Sequence, residues 1–352
     1  MKVVFLGLSI TSSWGNGHAT NYRALVRELA GRGHEVLFCE RDVPWYAAQR
    51  DLPEPPWGRT ALYGSLAELE AHGEAVAAAD LVVVGSYVPE GVAVAEWALD
   101  RAGGAAAFYD IDTPVTLGKL RRGDEEYLSP ELVGRFDLYL SFTGGPTLAV
   151  LEEEFGARRA LAFHCLVDPD AYRPLPAAPR WDLGYLGTYS DDRQPLLERL
   201  LLEPARRSPE AAFAVAGPQY PDGIAWPPNV ERIEHVAPGG HPAFYAAQRF
   251  TLNVTRAAMR TAGWSPSVRL FEAAACGVPV ISDRWEGLEE IFAPGEEILV
   301  ADSAEDVLHL VAGTGEEERL AIAGRARARV LAEHTAARRC EQLEAEVLGA
   351  PR

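Results

Sequence analysis

Short runs of β-branched and apolar residues alternate with stretches of helical periodicity along most of this chain, which leaves few folds open. KVVFLGL, EVLFC, LVVVG, AAAFY and DLYLS occupy the first half, and DLGYLG, AAFAVAG, VERIEHV, FTLNVT, VPVIS and EILVA the second. Strands separated by helices pair in parallel, and the helices cover both faces of the sheet. A first helix is expected from His18 to Gly31, with Tyr22, Leu25, Val26, Leu29 and Ala30 on its buried face and Gly31 and Gly33 at its end. Others are expected over Pro195 to Leu202 and Ser267 to Cys276, and a long pattern from Glu316 to Val347 breaks near His334 and Thr335.

A chain of 352 residues exceeds the usual size of one hydrophobic core, about 100 to 150 residues. The proline-rich stretch YRPLPAAPR, Tyr172 to Arg180, favours an extended connection and is read as the boundary. The expected organisation is a doubly wound, Rossmann-like α/β domain over 1–172, a second over 173–333, and a final helix over 334–352 that packs back on the first. Ligands of such sheets bind beyond the carboxyl ends of the strands, so the expected site is a cleft between the two sheets as they face each other.

The formal charge of -18 works against nucleic acid and anionic lipid as partners. An anionic ligand would need positive charge concentrated locally, from arginines or helix N-termini. The N-terminal MKVVFLGLSI enters a strand with no cleavage site after it, and no apolar run spans a bilayer, so a cytoplasmic protein is expected. Cys39, Cys165, Cys276 and Cys340 lack the spacing of zinc or redox motifs and read as buried thiols. Lys2 and Lys119 are the only lysines; neither sits in a GxxxxGK loop, which excludes a P-loop enzyme, and Lys119 reads as a solvated surface residue.

Gly263 to Asp283, GWSPSVRLFEAAACGVPVISD, reads as loop, helix, glycine stop and buried strand. Ser265 is the expected N-cap and Pro266 lies in the first turn, leaving the N–H groups of Ser267, Val268 and Arg269 for an anion such as pyrophosphate. Glu272, a turn farther on, suits the two hydroxyls of a ribose. On periodicity alone, a capped amphipathic helix with Glu272 on its surface is the simpler reading. The block nevertheless resembles the donor site of GT-B glycosyltransferases of the large retaining class, especially CgeB-like enzymes related to spore-maturation glycosyltransferases. SVRLFEAAACGVPVISD and the preceding LNVTRAAM carry that resemblance, with weaker likeness over most of the chain.

The resemblance implies a hexosyltransferase of class EC 2.4, moving a sugar from a nucleoside diphosphate, UDP among the candidates, to a small-molecule or glycan acceptor. Two glutamates with seven residues between them commonly serve the donor in that class. Glu272 matches the later one, on the ribose, whereas Trp264 stands where the earlier, sugar-side glutamate would be. FHCLVDPDAYRP resembles the family's linker, matching at Asp168 and Pro174 and departing at His164 and Cys165. LGYLGTYSDDR resembles the first strand and loop of a donor domain, with Gly187, Thr188 and Arg193 at the phosphate positions. Arg256 is a further phosphate partner; for each arginine a solvated surface role is the alternative.

On the acceptor side, Gly15, Asn16 and Gly17 lie in the loop after the first strand, and His18 opens the helix there, as a catalytic group or a cap. Asp110 and Asp112 follow another strand and either orient His18 and the acceptor or start a turn. A His18 base held by Asp110 would invert the anomeric centre; assistance by the donor phosphate, as proposed for the retaining class, would retain it, and the resemblance favours retention. No metal is expected, since a helix start and arginines stabilise the leaving diphosphate and no ligand cluster is evident. The rival readings are a dehydrogenase, suggested by GNGHAT and Glu40, a sugar-nucleotide epimerase, and a non-catalytic nucleotide-sugar-binding or coat-assembly module.

Overall fold

The computed structural model describes residues 1–349 and divides into two compact α/β units. The first comprises Met1–Leu166 with the C-terminal helix Ala336–Leu348; the second comprises Val167–Thr335. The proline-rich stretch at 172–180 therefore lies inside the second unit, and the division falls at Leu166 and again at Thr335.

Seven parallel strands form the first unit's sheet: β1 (Lys2–Gly7), β2 (Glu35–Arg41), β3 (Arg59–Tyr63), β4 (Leu81–Gly85), β5 (Ala105–Asp110), β6 (Leu138–Ser141) and β7 (Ala160–Ala162). Their spatial order is β3-β2-β1-β4-β5-β6-β7. Strands β1 and β4 are buried almost throughout because helices cover both faces, and that is why they read as continuous apolar runs. β3, with its pattern RTALY, and the three-residue β7 are short, partly exposed edge strands that the apolar pattern did not announce.

The helix His18–Gly31 buries Tyr22, Leu25, Val26 and Leu29, while Ala30 stays half-buried. Gly33, at φ 85°, turns the chain out of it in a conformation that suits glycine. The C-terminal helix packs on the same helix: Arg32 donates to Glu344 at 2.9 Å, and Cys340 is buried beside Leu25.

In the second unit six parallel strands follow: β8 (Trp181–Leu186), β9 (Phe213–Ala216), β10 (Val230–Ile233), β11 (Gln248–Asn253), β12 (Val280–Ser282) and β13 (Leu299–Val300). Their order is β10-β9-β8-β11-β12-β13. Leu183, Tyr185, Phe250, Leu252 and Ile281 belong to the core on one side of this sheet, beneath a leucine-rich helical segment that includes Leu197, Leu200 and Leu201. Among the described residues no helix is long and apolar enough to cross a membrane, and all four cysteines are buried.

Candidate functional site

Chain order reverses between β8 and β11, so the loops leaving their carboxyl ends diverge and open a crevice over the sheet. Gly187, Thr188 and Arg193 lie on the loop after β8, and Arg256 lies three residues beyond β11. The helix Val268–Ala275 then returns the chain to β12, the next neighbour of β11. This topology brings the expected donor residues to one end of one sheet.

Asn253, the last residue of β11, joins these segments. Its buried Oδ1 accepts from Ser267 Oγ and Arg269 Nη1, both at 2.8 Å, and its Nδ2 donates to Thr255 Oγ1 and Ser282 Oγ at 3.2 and 3.0 Å. Sequence reasoning passed over this residue. The available signal was a polar amide closing an otherwise apolar central strand, FTLN.

The helix begins later than expected. Val268 is its first residue and Ser267 holds the cap position in an extended conformation, so Ser265 and Pro266 are a buried approach to the helix. The cause is local: the Ser267 hydroxyl donates to Asn253, while its carbonyl accepts the Leu270 N–H at 3.1 Å. The N–H groups of Val268 and Arg269 fall in the first turn, which has no intrahelical acceptor.

The Arg269 guanidinium belongs to the framework. Its Nε donates to Leu186 O at 2.5 Å, Nη1 binds Asn253, and the group lies over the Tyr185 ring. Two of its three nitrogens are thereby committed to the ends of β8 and β11. Arg193 Nη2 donates to Thr188 O at 2.7 Å and closes the loop after β8 on itself. Arg193 Nε is buried and has no hydrogen-bond acceptor among the described residues. Asp192 ties this loop to the next by accepting the Ala257 N–H at 2.9 Å, with Arg256 Nε at 3.8 Å and the Arg256 side chain 41% exposed.

Glu272 is buried, which overturns its reading as an ordinary surface residue. Tyr245 donates to its Oε2 at 3.2 Å, and His241 Nδ1 lies 3.7 Å from the same oxygen. Trp264 adopts φ 43°, which costs a non-glycine residue on the order of 1 kcal/mol or more. Its N–H donates to Glu286 O at 2.6 Å, its indole N–H donates to Glu290 at 2.8 Å, and the ring fills the space that a Cβ on Gly287 would occupy. Asp283, which closes the segment, accepts from Thr255 N and Oγ1 and is pushed upward in pKa by burial.

In the first unit the reversal lies between β1 and β4. Glu40, at the end of β2, is fully buried and accepts four hydrogen bonds from the loop after β1: Ile10 N, Thr11 N, Ser9 Oγ and Thr11 Oγ1. Its carboxylate anchors that loop, which removes the ribose-binding role on which the dehydrogenase reading rested. The side chain that meets the helix start is Asn16, whose Oδ1 accepts the His18 N–H at 3.0 Å. Side chains placed on Gly15 or Gly17 would meet nothing within 4 Å, so both face open space.

His18 Nε2 faces Asp112 Oδ2 at 4.0 Å, and Tyr87 donates to that same oxygen at 3.0 Å, with its ring stacked on His18. The carboxylate beside His18 is thus that of Asp112, and the expected His18–Asp110 pair is corrected. Asp110 has no exposed surface; Tyr139 donates to its Oδ2 at 2.5 Å and Thr116 to its Oδ1 at 2.8 Å. Burial raises its pKa to about 6 against the lowering effect of those hydroxyls. Both oxygens serve the interior, because the last residue of β5 points into the core and the chain must turn before Asp112 emerges. Among the described residues no group of three or more His, Cys, Asp or Glu side chains is arranged to hold a metal.

Comparison with known proteins agrees with this architecture. Residues 193–345 match the model of a family described as glycosyl transferase-like. No curated protein matches the chain by sequence. HepE of Anabaena, solved with UDP and glucose, is 16% identical, with a TM-score of 0.72 and 100% of both chains covered. Sucrose-phosphate synthase of Thermosynechococcus elongatus is 15% identical over 100% of both chains, with a TM-score of 0.70. An alpha-glucosyltransferase solved with UDP and a 13-mer DNA is 12% identical over 99% of both chains, with a TM-score of 0.65. The chain therefore has the GT-B glycosyltransferase fold, two parallel-sheet α/β units, and its residues 193–345 match the glycosyl transferase-like family.

Proposed function

We propose that this chain is a glycosyltransferase that transfers a sugar from a nucleoside diphosphate, with UDP as the first candidate. The buried Arg193 Nε carries this reading. A guanidinium N–H withdrawn from water with no acceptor is costly, and the diphosphate of a donor at the β8–β11 crevice would supply one. HepE was solved with UDP-glucose on the same fold, which supports the same class of ligand here.

In this reading the Val268 and Arg269 N–H groups and the Arg256 guanidinium meet the diphosphate, with Gly187 and Thr188 giving it room. Ser267 and the Arg269 side chain hold the helix start in place through Asn253. Glu272 accepts from the ribose hydroxyls. As the anomeric C–O bond to phosphate breaks, negative charge grows on the diphosphate, and fixed N–H donors stabilise it without a metal. Transfer proceeds with retention: the departing phosphate oxygen takes the proton of the acceptor hydroxyl as that oxygen bonds to the anomeric carbon. The chain would be a cytoplasmic enzyme of the CgeB-like branch.

His18 and Asp112 serve the acceptor, a small molecule or glycan; the net charge of -18 disfavours nucleic acid in that role. Inversion with His18 as base is the second reading, favoured by the 4.0 Å approach of Asp112 to His18 Nε2. Calorimetry with UDP, GDP, dTDP and ADP on wild type, Arg256→Ala and Glu272→Ala tests the donor site. If no nucleotide binds, or the variants bind as well as wild type, the reading fails; the anomeric configuration of the product decides between retention and inversion.

A further inference from the structure

Beyond β12 the second unit encloses a cavity that none of the roles above uses. It measures about 330 Å³ and is lined by Arg284, Trp285, Glu286, Leu288, Glu289 and Pro294. Small-molecule pockets start at about 300 Å³, so the space suits a ligand of one ring. The loop that builds it is held from two sides. Asp283 accepts the Thr255 N–H and hydroxyl, both at 2.9 Å, and Glu286 O accepts the Trp264 N–H at 2.6 Å. Gly263 passes so close that a Cβ there would lie 2.7 Å from Glu286 O.

Trp285 is 4% exposed, and its indole Nε1 has no acceptor among the described residues. An indole N–H only donates, and withdrawing it from water without an acceptor is costly. The rest of the wall is mixed. Leu288 and Pro294 are apolar, Glu286 and Glu289 are exposed carboxylates that only accept, and Arg284 donates, with its Nε 3.1 Å from Asp302. Hydroxyl groups match both kinds of partner, because they donate to carboxylates and accept from the indole and the guanidinium. A phosphate would meet Glu286 and Glu289 as like charges, and an ammonium could not accept from Trp285.

We propose that this cavity is a saccharide site that takes a neutral hexopyranose: one sugar oxygen accepts from Trp285 Nε1, other hydroxyls donate to Glu286 and Glu289, and the C–H face of the ring packs on Leu288 and Pro294. Asp283 and Thr255 join the loop after β12 to the loop after β11, so the site lies beside the segments proposed to hold the nucleotide. The sugar has two sources, the hexose of a nucleotide-sugar donor or a saccharide bound by itself. The recognising chemistry is the same for both, and it stands independently of nucleotide binding.

Methyl α-glucopyranoside, glucose 6-phosphate, UDP and UDP-glucose are titrated calorimetrically into the full chain. A free saccharide as the source shows as saturable glucoside binding that saturating UDP leaves unchanged. The donor as the source shows as tighter binding of UDP-glucose than of UDP. Trp285→Phe, which keeps an aromatic ring and removes the N–H, lowers the glucoside affinity or the UDP-glucose advantage about five-fold or more. The double variant Glu286→Ala, Glu289→Ala changes only exposed side chains and gives a loss of similar size, so a folding defect in Trp285→Phe does not decide the outcome. Glucose 6-phosphate binds at least about five-fold more weakly than the glucoside. The saccharide site is overturned by variants that bind as wild type does, by glucose 6-phosphate binding more tightly, or by absent glucoside binding together with equal affinities for UDP and UDP-glucose. Absence of UDP binding alongside saturable glucoside binding overturns the donor reading and supports this inference.

Discussion

The Arg269 guanidinium stands where a side chain on residue 187 would have to be: a Cβ on Gly187 would lie 2.8 Å from Arg269 Nη2 and 2.6 Å from the Tyr185 hydroxyl. Because Arg269 is tied to Leu186 O and Asn253, it cannot yield without loosening the ends of β8 and β11 together. Gly187→Ala is therefore expected to cost about 1 to 3 kcal/mol of stability and to weaken UDP binding at least ten-fold. Thermal unfolding and calorimetry on the same preparation check both, and an alanine variant that binds normally would show that the guanidinium does not set the loop.

Arg193 offers the opposite signature. Arg193→Met relieves the buried, unsatisfied Nε but gives up the Nη2 hydrogen bond to Thr188 O, so the ligand-free variant is expected to melt close to wild type. Its UDP affinity is expected to fall by about ten- to a hundred-fold, the loss of one or two charge-assisted hydrogen bonds. A large drop in melting temperature without nucleotide would mark Arg193 as a structural residue.

Asp110 makes stability depend on pH. Its folded pKa is raised by burial from 3.8 to about 6, so the fold favours the protonated form. The favourable contribution is complete below about pH 4 and disappears as pH rises through about 6, a change of about 3 kcal/mol. Asp110→Asn is expected to flatten this part of the profile in denaturant titrations from pH 4 to 7. A variant with the wild-type slope would assign the dependence to other groups.

His18 and Asp112 lie in the unit that does not hold the donor residues. His18→Ala is expected to leave UDP affinity within about two-fold of wild type and to reduce transfer once an acceptor is in hand, by 100-fold or more if His18 is a general base. Loss of UDP binding would contradict an acceptor-side role.

Chelation tests the proposal that the leaving-group site needs no metal. If N–H donors and Arg256 supply the charge as proposed, UDP affinity in EDTA equals that in magnesium to within about two-fold. Strong dependence on magnesium would return attention to Asp110 and Asp112, although the former is enclosed in the core.

The alternation of apolar runs and helical patterns determined the fold class, because a strand covered by helices on both faces must be apolar along its length. The same reasoning missed β3 and β7, whose edge positions relax that requirement. At the site, the sequence marked Gly187, Arg193, Arg256, Ser267 and Glu272 through strand ends, a helix start and family likeness. It could not show that Asn253 ties Ser267 and Arg269 to Thr255 and Ser282, that the Arg269 guanidinium holds the ends of β8 and β11, or that Asp112 rather than Asp110 reaches His18. Periodicity is local and survives in one dimension. Which side chain meets which depends on the strand order that sets β8 beside β11, and on whether the last residue of a strand points into the core or out of it.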